Sequence, residues 1–274
     1  MQDQDSMTGI DWEDAFQVAT HTPGGAEYPA RWAARAAAFR DGAVPALDIA
    51  YGSAPREKLD LFLPEGTPKG LVVFVHGGFW RKMDKSLWSD LAAGPLARGW
   101  AVAVPGYTLA PDARIGQITA QIGAAIGLAA GRVAGPIRLA GHSAGGHLVT
   151  RMICEAAPIA RPVQARIAAV VSISGVHDLR PIRLHSMNAD LAIDAAEAAS
   201  ESPVLLTPLP DIAVTCWTGA DERPEFLRQA ALLAEAWSGK TDMRPPVFVS
   251  GQHHFDVIDG LKDAGSALTA ALLD

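Results

Sequence analysis

Residues 136–147 read Pro-Ile-Arg-Leu-Ala-Gly-His-Ser-Ala-Gly-Gly-His, and how this stretch must fold decides the rest of the chain. Residues 137–140 are a short apolar run, the mark of a buried strand. The run breaks at Gly141, and an amphipathic helix is predicted to start within a residue or two of Ser143. Inside the break stands Gly141-His142-Ser143-Ala144-Gly145, a G-x-S-x-G pattern. So sharp a strand-to-helix turn holds one serine in a strained backbone conformation, its hydroxyl facing out over the end of a sheet. Glycine is required at 141 and 145 because side chains there would collide with neighbouring backbone. The new helix also turns its free N–H groups toward the place where negative charge would collect. The five-residue pattern alone recurs by chance; a strand before it and a helix after it give it weight.

Working outward, the chain alternates strand-like and helix-like segments, which predicts an α/β fold with a mostly parallel sheet. The first 25 residues are polar and weakly patterned, with a helical turn or two around residues 12–18. Residues 26–40 read as an alanine-rich helix ended by Asp41-Gly42. Residues 47–51 and 58–63 read as two strands, the second alternating with Leu59, Leu61 and Leu63 on one face, and they suit an antiparallel edge pair. From Gly70 the strands become continuously apolar: 71–75, 100–104, 168–174, 212–218 and 247–250. Helices are expected over 85–93, where Gly94-Pro95 ends the segment, along the stripe Ile115, Ile118, Ile122 and Ile126, from Pro224 to Trp237, and over 257–273. Residues 179–203 interrupt the alternation and read as a small helical cap on one continuous domain, 1–274.

A serine hydroxyl is a weak nucleophile at neutral pH and needs a base to take its proton and donors for the oxyanion. In a sheet of this kind the order along the chain is serine, acid, histidine, each at a strand end. After strand 212–218 come Asp221 and Glu222, either of which could orient a histidine; after strand 247–250 come His253 and His254. Upstream, His76-Gly77-Gly78 lies between a buried strand and the next helix, where two glycines allow close backbone approach. The N–H groups of Gly78, Phe79 and Ala144 are the expected oxyanion donors.

Composition bounds the alternatives. The apolar fraction of 49% is ample for a large core, and the formal net charge of −7 with no basic stripe excludes a phosphate-backbone partner. No apolar run is long enough to span a bilayer, and no signal peptide is evident, so the expected setting is cytoplasmic with no membrane partner. Cys154 and Cys216, far apart in sequence, are expected to be buried free thiols. The eight histidines show no H-E-x-x-H or comparable spacing, so no metal is expected, and no phosphate-binding glycine loop occurs. His142 and His147 beside the serine read as structural. No cofactor is implied, and the partner is a small-molecule substrate; the sequence carries no reading of oligomeric state.

His76-Gly77-Gly78-Phe79-Trp80 resembles the H-G-G-x-W motif of the kynurenine formamidase (arylformamidase) branch of the α/β-hydrolases. Residues 107–111, Tyr-Thr-Leu-Ala-Pro, resemble a segment shared with hormone-sensitive-lipase-type esterases. Residues 174–179, 223–226 and the His254-Phe255 pair resemble the formamidase branch again, so the likeness runs from about Tyr51 onward. It implies an α/β-hydrolase fold with an antiparallel N-terminal edge. It also implies that Glu222, two residues before the proline of Pro-Glu-Phe, is the acid, although many members carry aspartate there and Asp221 is adjacent. The histidine directly before phenylalanine, His254, becomes the base, with His253 a supporting neighbour. The activity implied is cleavage of an aryl formamide or a small carboxylic ester by Ser143 through an acyl-enzyme. Trp80, Tyr107 and Phe255, with Phe79 and Trp88, are expected to furnish an aromatic pocket, and packing under the loop that carries Gly77 and Gly78 is the equal alternative for Trp80. A short-chain carboxylesterase, a non-catalytic hydrolase-like binding protein and a metal-dependent amidase are the alternatives.

Overall fold

A computed structural model describes residues 9–43 and 45–274; the first eight residues of the polar start, on which the reading of no signal peptide partly rests, lie outside it. The strands are β1 (Ala46–Ala50), β2 (Lys58–Phe62), β3 (Leu71–Val75), β4 (Ala101–Pro105), β5 (Ile137–His142), β6 (Ile167–Ile173), β7 (Ala213–Gly219), β8 (Asp242–Met243) and β9 (Val247–Val249). They form one sheet in the order β1-β2-β4-β3-β5-β6-β7-β8, with β9 also against β7. β1 pairs antiparallel with β2 and β2 antiparallel with β4, while every pairing from β4 onward is parallel. The antiparallel edge is therefore where the alternation of Leu59 and Leu61 put it.

The helices are α1 (Trp12–Ala15), α2 (Tyr28–Asp41), α3 (Ala93–Ala97), α4 (Ile115–Arg132), α5 (Ala144–Arg151), α6 (Arg161–Gln164), α7 (Asn188–Leu191), α8 (Ala195–Glu201), α9 (Pro224–Trp237) and α10 (Ala267–Leu273). All five residues of β3 are buried, as expected of a strand covered on both faces. Its side chains divide by parity. Leu71, Val73 and Val75 join a core with the α4 stripe Ile115, Ile118, Ile122 and Ile126, with Leu148 of α5, and with Phe226 and Leu233 of α9. Val72 and Phe74 join a second core with Trp32 of α2 and Leu268 and Leu272 of α10. Helices thus flank the sheet on both sides, and every parallel strand directs its carboxyl end toward the same edge.

Three expectations about elements are corrected. The segment 85–93 is two 3-10 turns, Lys85–Leu87 and Ser89–Ala92, and Gly94-Pro95 lies within α3 instead of ending a helix. Proline is tolerated there because the N–H it lacks would have no partner in a first turn. The last helix does not run over 257–273: a 3-10 turn, Asp259–Lys262, gives way at Asp263, and α10 starts afresh where the Ser266 side chain accepts the N–H of Thr269. The two-residue β8 was not foreseen, being too short to carry a period. Residues 179–203 contain the turn Pro181–Leu184 and the helices α7 and α8. Glu201 at the end of α8 is clamped by a buried ion pair with Arg151 of α5 at 3.0 Å, and its carbonyl accepts from Nε2 of His147 at 2.7 Å. That segment is therefore fastened to the helix that follows Ser143.

Candidate active site

Ser143 occupies the joint between β5 and α5 with φ 55° and ψ −117°, a left-handed conformation that a non-glycine residue rarely adopts. The strain persists because its surroundings admit nothing else. Its N–H donates to the carbonyl of Ile173 at 2.8 Å. A Cβ on Gly141 would stand 2.2 Å from the carbonyl oxygen of Gly145, and a Cβ on Gly145 would stand 1.9 Å from that of Val75. Both glycines are thus required by collision with backbone, and α5 can press close against β3. Its first N–H groups have no acceptor within the helix and point back toward Ser143.

The loop after β3 turns beneath the same edge. A Cβ on Gly77 would meet Cβ of Ser143 at 2.9 Å, so the loop passes directly over the serine. Gly78 has φ 111°, and Phe79 and Trp80 follow with φ 50° and 57°, a run of left-handed residues that reverses the chain. Among the described residues, no acceptor is found for the N–H groups of Gly78, Phe79 or Ala144. His76 anchors the loop from below: its ring stacks on Tyr107 with centroids 4.4 Å apart, and the Tyr107 hydroxyl donates to the His76 carbonyl at 3.0 Å. Burial pushes His76 down to about 4, so it is neutral near pH 7.

Glu222 follows β7 and is buried, whereas Asp221 is exposed. One carboxylate oxygen of Glu222 lies 2.6 Å from Nδ1 of His254; the other accepts from the Ser174 hydroxyl at 2.5 Å and from the N–H of Gly219 at 2.9 Å. Asp221 makes no such contact, its N–H donating to the carbonyl of Gln252. The His254 ring is held between two others: Phe226 at 4.4 Å and His142 at 4.6 Å between centroids. Nε2 of His142 donates to the His254 carbonyl at 2.8 Å, and burial keeps His142 well below its ordinary range and so uncharged. His253 points elsewhere, its Nε2 lying 3.2 Å from the Tyr28 hydroxyl.

Ser143, His254, His142, Gly77, Gly78 and Phe79 line one cavity of about 380 Å³. Trp88 and Phe255 line it as well. Trp80 and Tyr107 do not; this corrects the expected place of Tyr107 and decides the two readings of Trp80 for packing under the loop. Trp80 is fully buried, edge-on to His147 at 5.2 Å, and packs under the loop; Tyr107 supports His76 from the same side. The sequence reading missed Trp32 and the stretch 13–19, both on the cavity wall. The spacing of Trp12 and Phe16, four residues apart on one helical face, was the available signal. His147 is buried, held by burial at about 3, and serves the contact with the Glu201 carbonyl described above. Cys154 and Cys216 are buried and unpaired, and burial raises their thiols to about 11 and about 12. No group of three or more metal-ligating side chains, and no helix long and apolar enough to cross a membrane, occurs among the described residues.

Such an arrangement can supply a nucleophile, a base with an oriented tautomer and three backbone donors around one carbonyl carbon. Comparisons with known proteins agree with the architecture. Kynurenine formamidase of Danio rerio is 28% identical over 236 residues, covering 83% of this chain and 80% of that protein. Isoprenylcysteine alpha-carbonyl methylesterase of Arabidopsis thaliana is 34% identical over 118 residues, 40% of this chain and 27% of that one. A crystal structure from Silicibacter sp., provisionally called a thioesterase, superposes with a TM-score of 0.92 at 48% identity, covering 97% of this chain and 100% of its own. The profile of the alpha/beta hydrolase family matches residues 72–271, and the chain belongs to that family.

Proposed function

We propose that the protein is a serine hydrolase that cleaves a small carboxylic ester or an aryl formamide through an acyl-enzyme. The observation that carries this reading is the 2.6 Å contact between Glu222 and Nδ1 of His254, which lines the same cavity as Ser143, whose backbone is strained into the turn. The carboxylate fixes the tautomer in which Nδ1 bears the proton and Nε2 is free to accept. Ser143 attacks the carbonyl carbon, and its proton passes to Nε2. The N–H groups of Gly78, Phe79 and Ala144 hold the oxyanion, and the proton then moves to the leaving alcohol or amine. Water, activated by the same imidazole, releases the acyl group. Ser174 and the N–H of Gly219 keep the second oxygen of Glu222 in place.

The aryl formamide reading is favoured by the length over which the formamidase relative matches, and by a cavity walled with Phe79, Trp88 and Phe255. The segment 179–203 adds His185, Ser186 and Met187 to that wall and leaves room for a short acyl group. No cofactor takes part, and the two unpaired buried thiols suit a reducing, cytoplasmic compartment. The test is a panel contrasting N-formylkynurenine with p-nitrophenyl acetate and butyrate, each run with wild type and with Ser143→Ala. A kcat/KM for N-formylkynurenine at least tenfold above both esters, lost in Ser143→Ala, is expected. Ester turnover without formamide turnover would leave a short-chain carboxylesterase, and turnover surviving in Ser143→Ala would refute the nucleophile.

A further inference from the structure

The segment ahead of α2 carries no motif, yet Glu13, Phe16, Gln17, Val18 and Ala19 all line the cavity over Ser143. Phe16 is its centre. The side chain is 2% exposed, and its ring meets Phe79 edge-on at 6.3 Å and Phe226 edge-on at 6.1 Å. Phe79 belongs to the loop over the serine, and Phe226 is the ring packed at 4.4 Å on His254. Trp12, one turn earlier, stacks against Phe16 at 6.2 Å and is itself buried.

The segment is fastened on three sides. Glu13 accepts from the N–H of Ser186 and, at 2.8 Å, from its hydroxyl, which ties α1 to the cap. Asp14 pairs with Arg223, the residue after Glu222. Ala19 presses on Gly25, where a Cβ would stand 2.3 Å from the Ala19 carbonyl oxygen. These anchors stretch residues 13–19 as a strap from the cap to the acid side of the site.

We propose that Phe16, carried by this strap, is a specificity-determining residue that limits the size of the group accepted beside Ser143. The ring is wedged between the loop over the serine and the ring backing the base, so its volume is taken directly from the space around the reacting carbonyl. The inference rests on the hydrolase reading above. Removing the ring enlarges that space and enlarging the ring closes it, and a few methylenes in an apolar pocket change selectivity by about 10–200-fold.

The experiment uses the full chain with Phe16→Ala, Phe16→Leu and Phe16→Trp. One substrate series is the p-nitrophenyl esters from acetate to octanoate; the other is acetate esters of alcohols of increasing size. The readout is the ratio of kcat/KM for the large substrate to that for the small one, because a purely structural defect lowers both together and leaves the ratio alone. In at least one series the ratio is expected to rise about tenfold or more for Phe16→Ala, to rise less for Phe16→Leu and to fall for Phe16→Trp. If Phe16→Ala does not fold, the opposed directions of the leucine and tryptophan variants carry the test. Ratios within about twofold of wild type in both series and in every folded variant would overturn the proposal. A wild-type protein inert toward both series and toward N-formylkynurenine would instead overturn the hydrolase reading beneath it.

Discussion

Replacing Glu222 by glutamine exchanges one carboxylate oxygen for an NH2 group, and the surroundings dictate which. The oxygen that accepts from the Ser174 hydroxyl at 2.5 Å and from the Gly219 N–H at 2.9 Å must remain an acceptor, because the backbone donor cannot turn away. Placing the amide nitrogen there would set two donors against each other in a buried site, at a cost of about 1–3 kcal/mol. The NH2 group therefore faces Nδ1 of His254, where the carboxylate oxygen stood at 2.6 Å. A donor at that position forces Nδ1 to give up its proton. The imidazole then carries hydrogen on Nε2 and cannot accept from Ser143. In the serine-protease template the same swap of tautomer lowers kcat by about 10⁴, roughly 5 kcal/mol of barrier. Glu222→Gln is expected to lose kcat on that scale with little change in KM. Asp221→Asn is expected to stay within about threefold of wild type, since its exposed side chain takes no part in orienting the histidine. Both variants would be assayed on p-nitrophenyl acetate and N-formylkynurenine, with thermal melts confirming folded protein. A Glu222→Gln enzyme keeping more than about a tenth of wild-type kcat, or a collapse in Asp221→Asn instead, would refute the tautomer argument.

Two further outcomes concern the frame that holds the site. His76, His147 and His177 are buried and held near 4, 3 and 3 against an ordinary value of 6.5. Their folded-state affinity for protons is depressed, so the stability they contribute is complete above pH 6.5 and drains away as pH falls toward 4 and then 3. The loss is at most about 3 kcal/mol for His76 and about 5 kcal/mol each for His147 and His177, and a urea midpoint constant from pH 7 to pH 4 would contradict it. Gly145→Ala is expected to yield no folded, active protein, because the new Cβ would stand 1.9 Å from the Val75 carbonyl. Gly127→Ala, inside α4 where an added Cβ meets nothing within 4 Å among the described residues, is expected to raise stability by up to about 1 kcal/mol. Soluble expression and thermal melts of the two variants decide; equal behaviour would contradict the collision argument.

What could be read from the sequence follows from how locally each feature is determined. The turn at Ser143 was legible because strand, glycines and helix are consecutive, and each glycine is fixed by a collision within that motif or with the adjacent β3. The sheet was legible because buried parallel strands are continuous apolar runs, whereas the edge pair alternates. Glu222 and Asp221 could not be separated by residue type. They differ only in which faces the interior, a matter of how the chain turns after β7. Tyr107 is misplaced by the sequence and Trp80 left open by it, because an aromatic side chain serves a pocket wall and a loop support equally well; for Trp80 the left-handed run at Gly78, Phe79 and Trp80 decides. The strap at 13–19 escaped because its contacts, Glu13 to Ser186 and Asp14 to Arg223, join residues far apart in the chain. The final helix is shorter than its apolar pattern suggests because Gly260 and Gly265 interrupt it, and a glycine followed by a capping serine is a recognisable stop and start.

The most direct test of the central claim is covalent labelling by an alkyl fluorophosphonate, located by mass spectrometry of the digested protein. One adduct per chain on the peptide containing Ser143 is expected, absent from Ser143→Ala and slowed by orders of magnitude in His254→Ala. Labelling of another residue, or of Ser143 at an equal rate without His254, would contradict the account.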